Sequence, residues 1–161
     1  MSEIHSVPPA SERMIREAER KLVNTNAIFK KALAQFSKDL RKGIALRCDD
    51  LPAVQGAEAD FEAVFSLLLQ TILQRRANVS RLFLHVHCTS EDIDTDNAAG
   101  LKQFSIQFNT NISPCADWLQ QNEQQLTNVA AILLRNGGRL LVNQLKTTGC
   151  IFSVSLPGKT L

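Results

Sequence analysis

The clearest pattern of apolar and polar positions lies between residues 51 and 73, which read LPAVQGAEADFEAVFSLLLQTIL. Apolar side chains recur there every three or four residues, as they do on one face of a helix. The pattern predicts a turn at Gly56 and then a long helix from about Ala57 to Arg76. Its buried face is expected to consist of Phe61, Val64, Phe65, Leu68, Ile72 and Leu73.

Two further stretches show the same helical period. The first runs from Ala27 to Lys42, with Thr25 or Asn26 as its cap. The second begins at Trp118 or Gln120 and ends at Arg135, directly before Asn136-Gly137-Gly138, which is a typical helix stop. We expect the buried face of the second helix to be Leu126, Val129, Ala130, Leu133 and Leu134.

Strict alternation of apolar and polar residues marks the strands between these helices. Residues 81–88 and 103–109 are predicted to form an antiparallel pair joined by a long loop, and 139–145 and 149–156 to form a hairpin. A shorter strand is predicted at 44–48. The fold class that follows is α+β, a two-layer sandwich with about three helices on one face of a mixed sheet of about five strands.

Ahead of this unit, residues 1–21 are interpreted as a tail followed by a short helix that begins at Ser11 and ends near Leu22. Residues 22–161 are then one domain, which is long enough to bury a core. We expect a homodimer to form, if at all, through the short helix or through the uncovered face of the sheet. On that face the pattern places Phe83, Leu141 and Ile151, beside His85 and His87.

Composition excludes several function classes. The formal net charge is +2 and the basic residues are scattered, which argues against a nucleic-acid surface. No apolar run approaches the roughly 20 residues of a membrane span, and no apolar signal region follows Met1, so a cytoplasmic protein is expected. The four cysteines are far apart and are expected to be reduced, two or three of them in core strands: Cys48, Cys88, Cys115 and Cys150.

No metal site is predicted. His85 and His87 have the spacing of two ligands on one strand, but the sequence supplies no third. The stretch from Asp92 to Asn97 is similar to the start of a calcium loop, yet Asn97 stands where the glycine is needed and Gln103 where the closing acid is needed. An exposed polar sheet face and a solvated acidic loop are therefore expected.

Two segments resemble the ATP-binding catalytic domain of sensor histidine kinases, part of the GHKL ATPase superfamily. They are LPAVQGAEADFEAVFSLLLQTIL and LTNVAAILLRNGGRLLVNQLKTTGCIFSVSLP, with Gly137-Gly138, Gly149, Phe152 and Leu156-Pro157 in matching places. The resemblance covers roughly residues 22–157. It implies a Bergerat-like fold and a nucleotide pocket beside the long helix.

The positions that bind ATP in the family carry other residues here. The resemblance places Thr71 at the magnesium-binding asparagine and Leu67 at the asparagine before it. In the DNGxG motif that reads adenine, Thr110 stands at the aspartate and Ile112 at the first glycine, with Asn111 between them. The GxGL motif that wraps the phosphates is replaced by Glu123-Gln124-Gln125-Leu126, and the lid between the two motifs is only about ten residues long.

These departures predict a chain that binds no cofactor and is not an enzyme. The function expected from the sequence is a non-catalytic, histidine-kinase-like signalling module that is unable to bind ATP normally and acts through protein–protein interaction. The expected partner is a kinase helical domain or a response-regulator receiver. Two alternatives remain open: a divergent ATP-binding histidine kinase or ATPase domain, and a histidine phosphotransfer protein, for which only His5 lies ahead of the domain.

Overall fold

A computed structural model describes residues 21–40, 44–74, 81–92, 101–112, 120–145 and 149–159. The strands are β1 (Lys21–Asn24), β2 (Ile44–Cys48), β3 (Ala53–Gly56), β4 (Leu82–Asp92), β5 (Leu101–Thr110), β6 (Arg139–Leu145) and β7 (Gly149–Lys159). The helices are α1 (Thr25–Ala34), α2 (Ser37–Leu40), α3 (Glu58–Leu73) and α4 (Glu123–Arg135). No helix in these ranges is long and apolar enough to cross a membrane.

The strands form one mixed sheet in the order β1-β3-β7-β5-β4-β2, and β6 pairs with β7 beside β3. All strand pairs are antiparallel except β2 with β4. The helices cover one face, so the predicted α+β sandwich is confirmed. The pairing of β4 with β5 and the hairpin of β6 with β7 are also as predicted.

Within the described ranges the sheet has seven strands instead of about five, because the sequence pattern does not reveal β1 and β3. Each has only four residues, which is too short for an alternating pattern to stand out. They pair with each other, with Val23 opposite Val54. The prediction that the short N-terminal helix reaches Leu22 is therefore wrong at its end, and the rest of that helix falls on residues 1–20, outside the described ranges. The division between residues 1–21 and 22–161 stays a prediction.

The first predicted helix, 27–42, is divided in the structure. α1 ends at Ala34 and α2 begins at Ser37. The cap of α1 is Asn24, whose Oδ1 accepts from the backbone N–H of Ala27 at 3.2 Å, and not Thr25 or Asn26. The Thr25 hydroxyl donates instead to the carbonyl of Pro52, which ties the start of α1 to the segment leading into β3.

The core lies between the sheet and the apolar face of α3. The predicted face of this helix is buried along its whole length, with Phe61, Val64, Phe65, Leu68 and Ile72 at 0–1% exposure. Phe29 of α1 meets Phe65 and Phe108 edge-on, at ring-centroid distances of 5.5 and 5.7 Å.

One predicted core residue is wrong: Leu134 of α4 is 74% exposed, because it lies beside the buried stripe that contains Val129 and Leu133.

The three cysteines within the described ranges are free thiols. Cys150 is buried, Cys88 is partly buried, and Cys48 lies exposed on the edge strand β2. Burial raises the pKa of Cys88 and of Cys150 to about 11, which keeps both as unreactive thiols at neutral pH. Cys115 lies outside the described residues.

Replacing Phe29 by alanine is expected to lower the free energy of unfolding by about 3–5 kcal/mol, because the cavity would open between α1, α3 and β5. Urea denaturation followed by circular dichroism measures the change. The matched control is Phe83→Ala on the uncovered face of the sheet, where the side chain is 47% exposed and the expected loss is within about 1 kcal/mol. Equal losses in the two variants would contradict this description of the core.

Candidate functional site

Gln125 of α4 contacts Leu67 and Thr71 of α3. The resemblance places these two residues at asparagines of the family's magnesium-binding helix. Gln125 Nε2 donates to the carbonyl oxygen of Leu67 at 2.8 Å and to the hydroxyl oxygen of Thr71 at 2.7 Å. Three of the sequence-predicted site residues are therefore in direct contact. Gln125 therefore joins the two helices. It belongs to the segment that stands where the related family has its glycine-rich motif.

The Thr71 hydroxyl both donates and accepts a hydrogen bond in this arrangement. The residue is buried, and its hydroxyl also donates back along the helix to the Leu67 carbonyl at 2.8 Å. A threonine that bonds to the carbonyl four residues earlier satisfies its hydroxyl locally. With the Gln125 amide as its second partner, the Thr71 hydroxyl uses both its proton and an oxygen lone pair within the protein.

Thr110, Asn111 and Ile112 follow one another at the end of β5 and serve the sheet and the core. The Thr110 hydroxyl donates to the carbonyl of Cys150 on β7 at 2.9 Å. Ile112 is completely buried. Asn111 accepts from the N–H of Phe83 and donates to the carbonyl of Arg81, both at 2.8 Å, which fastens the start of β4.

Gly149 allows the backbones of β5 and β7 to approach closely at the end of β5. Its φ of +143° lies in a region that favours glycine, and a Cβ there would collide with the carbonyl oxygen of Thr110. The backbones of β5 and β7 approach at this point too closely for any side chain. The position matched to the adenine-reading aspartate is therefore held by backbone contact as well as by its own hydroxyl.

Glu123 is separated in role from the other predicted positions. It is the first residue of α4 and is exposed. A carboxylate in the first turn interacts favourably with the positive end of the helix dipole. That its negative charge repels a phosphate at this helix end stays a prediction.

A second polar junction between α3 and α4 was missed by the sequence analysis. Asn136 is buried; its Oδ1 accepts from the N–H of Ala57, and its Nδ2 donates to Asp60 Oδ2 and to the Ile132 carbonyl, each at 2.9 Å. Arg135 adds a contact of 3.0 Å to Asp60 Oδ1. The available signal was Asn136 directly before two glycines, which was interpreted only as a helix stop.

His85 and His87 lie on the uncovered face of the sheet, with ring centroids 4.9 Å apart. His85 Nε2 donates to Asp49 Oδ2 at 3.1 Å, and this hydrogen bond holds the pKa of the Asp49 carboxyl below its ordinary value. Asn109 Nδ2 donates to His87 Nε2 at 2.6 Å, and burial lowers the pKa of His87. Both rings are thus bound to neighbouring side chains.

Within the described residues there is no group of three or more histidine, cysteine, aspartate or glutamate side chains arranged to hold a metal ion. The segment compared with a calcium loop falls outside those residues except for Asp92, so it stays untested. The arrangement on the sheet face is a half-buried polar network that runs across neighbouring strands.

No protein-family model matches the sequence, and no curated protein matches it significantly. Solved structures do match, all at low sequence identity. The histidine kinase AdeS of Acinetobacter baumannii matches with a TM-score of 0.63 and 15% identity over 84% of this chain and 66% of that one. The mycobacterial sensor histidine kinase MprB matches with a TM-score of 0.65 and 14% identity over 88% of this chain and 99% of that one.

A third match is the histidine kinase domain of a blue-light activated kinase from Erythrobacter litoralis, with a TM-score of 0.62 and 15% identity over 86% of this chain and 67% of that one. These findings correct the prediction that the chain is not an enzyme. Its structural neighbours are histidine kinases and kinase domains, which are enzymes, and no finding shows a loss of activity. The chain has the fold of a histidine kinase catalytic domain.

Proposed function

We propose that the chain is a histidine-kinase-like module of two-component signalling that acts by contact with other signalling proteins. The observation that carries this proposal is the Gln125 bridge from α4 to Leu67 and Thr71 on α3, within a kinase-type fold. The bridge lies where the resemblance expects magnesium and phosphate. Protein contacts, in contrast, require only the surface of the domain.

The hydrogen bonds of Thr71 bear on how a nucleotide could bind. Magnesium requires nearly octahedral oxygen ligands at about 2.0–2.1 Å and releases its water reluctantly. The Thr71 hydroxyl is occupied by the Leu67 carbonyl and the Gln125 amide. We infer that magnesium-bound ATP does not use the positions that bind it in the family unless α4 first releases α3.

The proposed partner is a kinase helical domain or a response-regulator receiver, and the proposed contact is the uncovered sheet face. Phe83 and Leu141 are 47% and 58% exposed there, and Ile151 lies between polar neighbours on the same face. Exposed aromatic and aliphatic groups with a polar surround are typical of protein contact sites. For a second copy of this chain as the partner, the proposed contact is the same face or the N-terminal segment.

The second candidate function is that of a divergent ATP-binding histidine kinase or ATPase domain with a rearranged pocket. The structural neighbours favour it, since one of them, full-length ShkA, was solved in complex with AMPPNP; it matches with a TM-score of 0.61 and 15% identity over 88% of this chain and 32% of that one. In this candidate Gln125 would leave α3 when nucleotide enters. The phosphotransfer alternative depends on His5, outside the described residues, and stays untested.

Nucleotide titration separates the first two candidates. We expect the melting temperature to remain unchanged with ATP or ADP and magnesium, because the Gln125 bridge occupies the α3 positions. Nucleotide at one hundred times its dissociation constant would stabilise a binding protein by about 2.7 kcal/mol. Full-length ShkA is the positive control. A saturable rise in melting temperature at micromolar nucleotide would instead establish the ATP-binding candidate.

The bridge itself is tested by Gln125→Ala. Loss of two partly buried hydrogen bonds is expected to lower the free energy of unfolding by about 1–2 kcal/mol. Gln124→Ala is the matched control, since that amide bonds only along the exposed side of α4, to Asn128. A double-mutant cycle with Thr71→Val should show a coupling of about 0.5–1.5 kcal/mol; additive effects would mean that the two side chains do not interact in solution.

The signalling contact is tested by direct binding to purified receiver and kinase helical domains from the same genome. We expect one of them to bind, and Phe83→Arg to raise its dissociation constant about tenfold, the effect of losing one well-packed interface side chain. Leu134→Arg, a change at a helix residue that is 74% exposed, is the matched control and should bind as the wild type does. Equal weakening by both variants would contradict a contact on the sheet face.

A further inference from the structure

Strand β6 has a hydrogen-bonding edge that no other described strand uses. It pairs with β7 along Arg139–Leu145, and it lies off the path of the remaining strands. All of its seven residues are exposed except Leu140, which is partly covered. No strand of the described ranges pairs with the backbone N–H and C=O groups on its outer side, and such an edge can accept a further strand.

β6 differs from the other strands at the margins of the sheet. β1 has only four residues; β2 has five and carries Arg47, which forms an ion pair with Asp49 at 3.4 Å. Charged side chains and short length are the usual protection of an edge against pairing. β6 has seven residues, no proline, and a single charge at its first position, Arg139.

Apolar side chains of β6 lie on both faces of the sheet. Leu141 and Leu145 lie on the uncovered face and are 58% and 41% exposed, and Val142 is 36% exposed on the helix side. An added strand would cover apolar surface on both faces at the same time as it satisfied the free backbone groups. A helix or a loop would do only one of these.

We propose that β6 pairs antiparallel with β6 of a second copy of this chain, about a two-fold axis at Val142. This axis is the one that pairs all seven residues, with Val142 opposite Val142 of the second copy. Residues that face one another then lie on the same face, so both copies place their helices on one side of a continuous sheet. The edge groups of each copy supply the partners that the other lacks.

Charge does not oppose this arrangement. The two Arg139 side chains lie at opposite ends of the ladder, six residues apart or about 20 Å at roughly 3.4 Å per residue. That distance exceeds the Debye length of about 8 Å at physiological salt, so the only charges on β6 do not oppose pairing. One strand is a smaller surface than the roughly 20–30 residues per side of a stable complex, so the dimer is weak and forms at high protein concentration.

Sedimentation velocity over a range of protein concentrations tests the pairing. The wild type should shift from monomer to dimer, and Val142→Lys and Val142→Asp should each raise the dissociation constant at least about tenfold, since like charges would face one another. An equimolar mixture of the two variants should restore the dimer as a heterodimer. Restoration depends on residue 142 facing its own copy, so it reports the register as well as the contact.

Leu46→Lys on β2 is the matched control, an exposed leucine on the opposite margin of the sheet, and should dimerise as the wild type does. Hydrogen exchange of residues 139–145 in the wild type should slow as concentration rises, a measurement that needs no variant to fold. A wild type that stays monomeric at the highest concentration, or exchange in β6 that is independent of concentration, overturns the proposal. So does a mixture of folded variants that remains monomeric.

Discussion

Burial of one face of α3 is the interaction on which the other elements depend. Seven side chains of this helix are at 0–1% exposure, and the aromatic group of Phe29, Phe65 and Phe108 joins α1, α3 and β5. Full burial of a side chain of this size contributes roughly 1.5–3 kcal/mol. Without α3 the inner face of β4, β5 and β7 would lie open to water, and α1 and α4 would have no surface to pack on.

The polar junctions then determine how α4 lies on α3. Asn136 and Asp60 join the end of one helix to the start of the other, and Gln125 joins their other ends through Leu67 and Thr71. Apolar packing tolerates small shifts between helices, whereas partly buried amides require their partners at hydrogen-bond distance. Two such junctions at opposite ends fix the helix pair in one position, and one of them contains the two α3 positions that the resemblance places at the asparagines of the family's magnesium-binding helix.

The sequence predicted the parts of the fold whose pattern is long and regular. α3, the β4–β5 pair and the β6–β7 hairpin each have enough residues for their period to be visible. β1 and β3 were missed because four residues show no period and because their pairing joins distant segments. Leu134 was placed in the core because it continues an apolar run, although a helix turns it about 100° away from Leu133.

The candidate site was predictable only as a set of positions. The resemblance identified Leu67, Thr71 and Gln125, but no sequence pattern indicates that an amide on one helix will bond to a hydroxyl and a carbonyl on another. Asn136 illustrates the same limit, since a residue before two glycines was explained by the helix end alone.

The error about catalysis has a related origin: exchanged residues were equated with lost chemistry, while the fold shared with kinase domains is independent of those exchanges. Thr110, Asn111 and Ile112 each have a structural partner that requires no nucleotide, so their identity is explained by how this corner of the fold is held together.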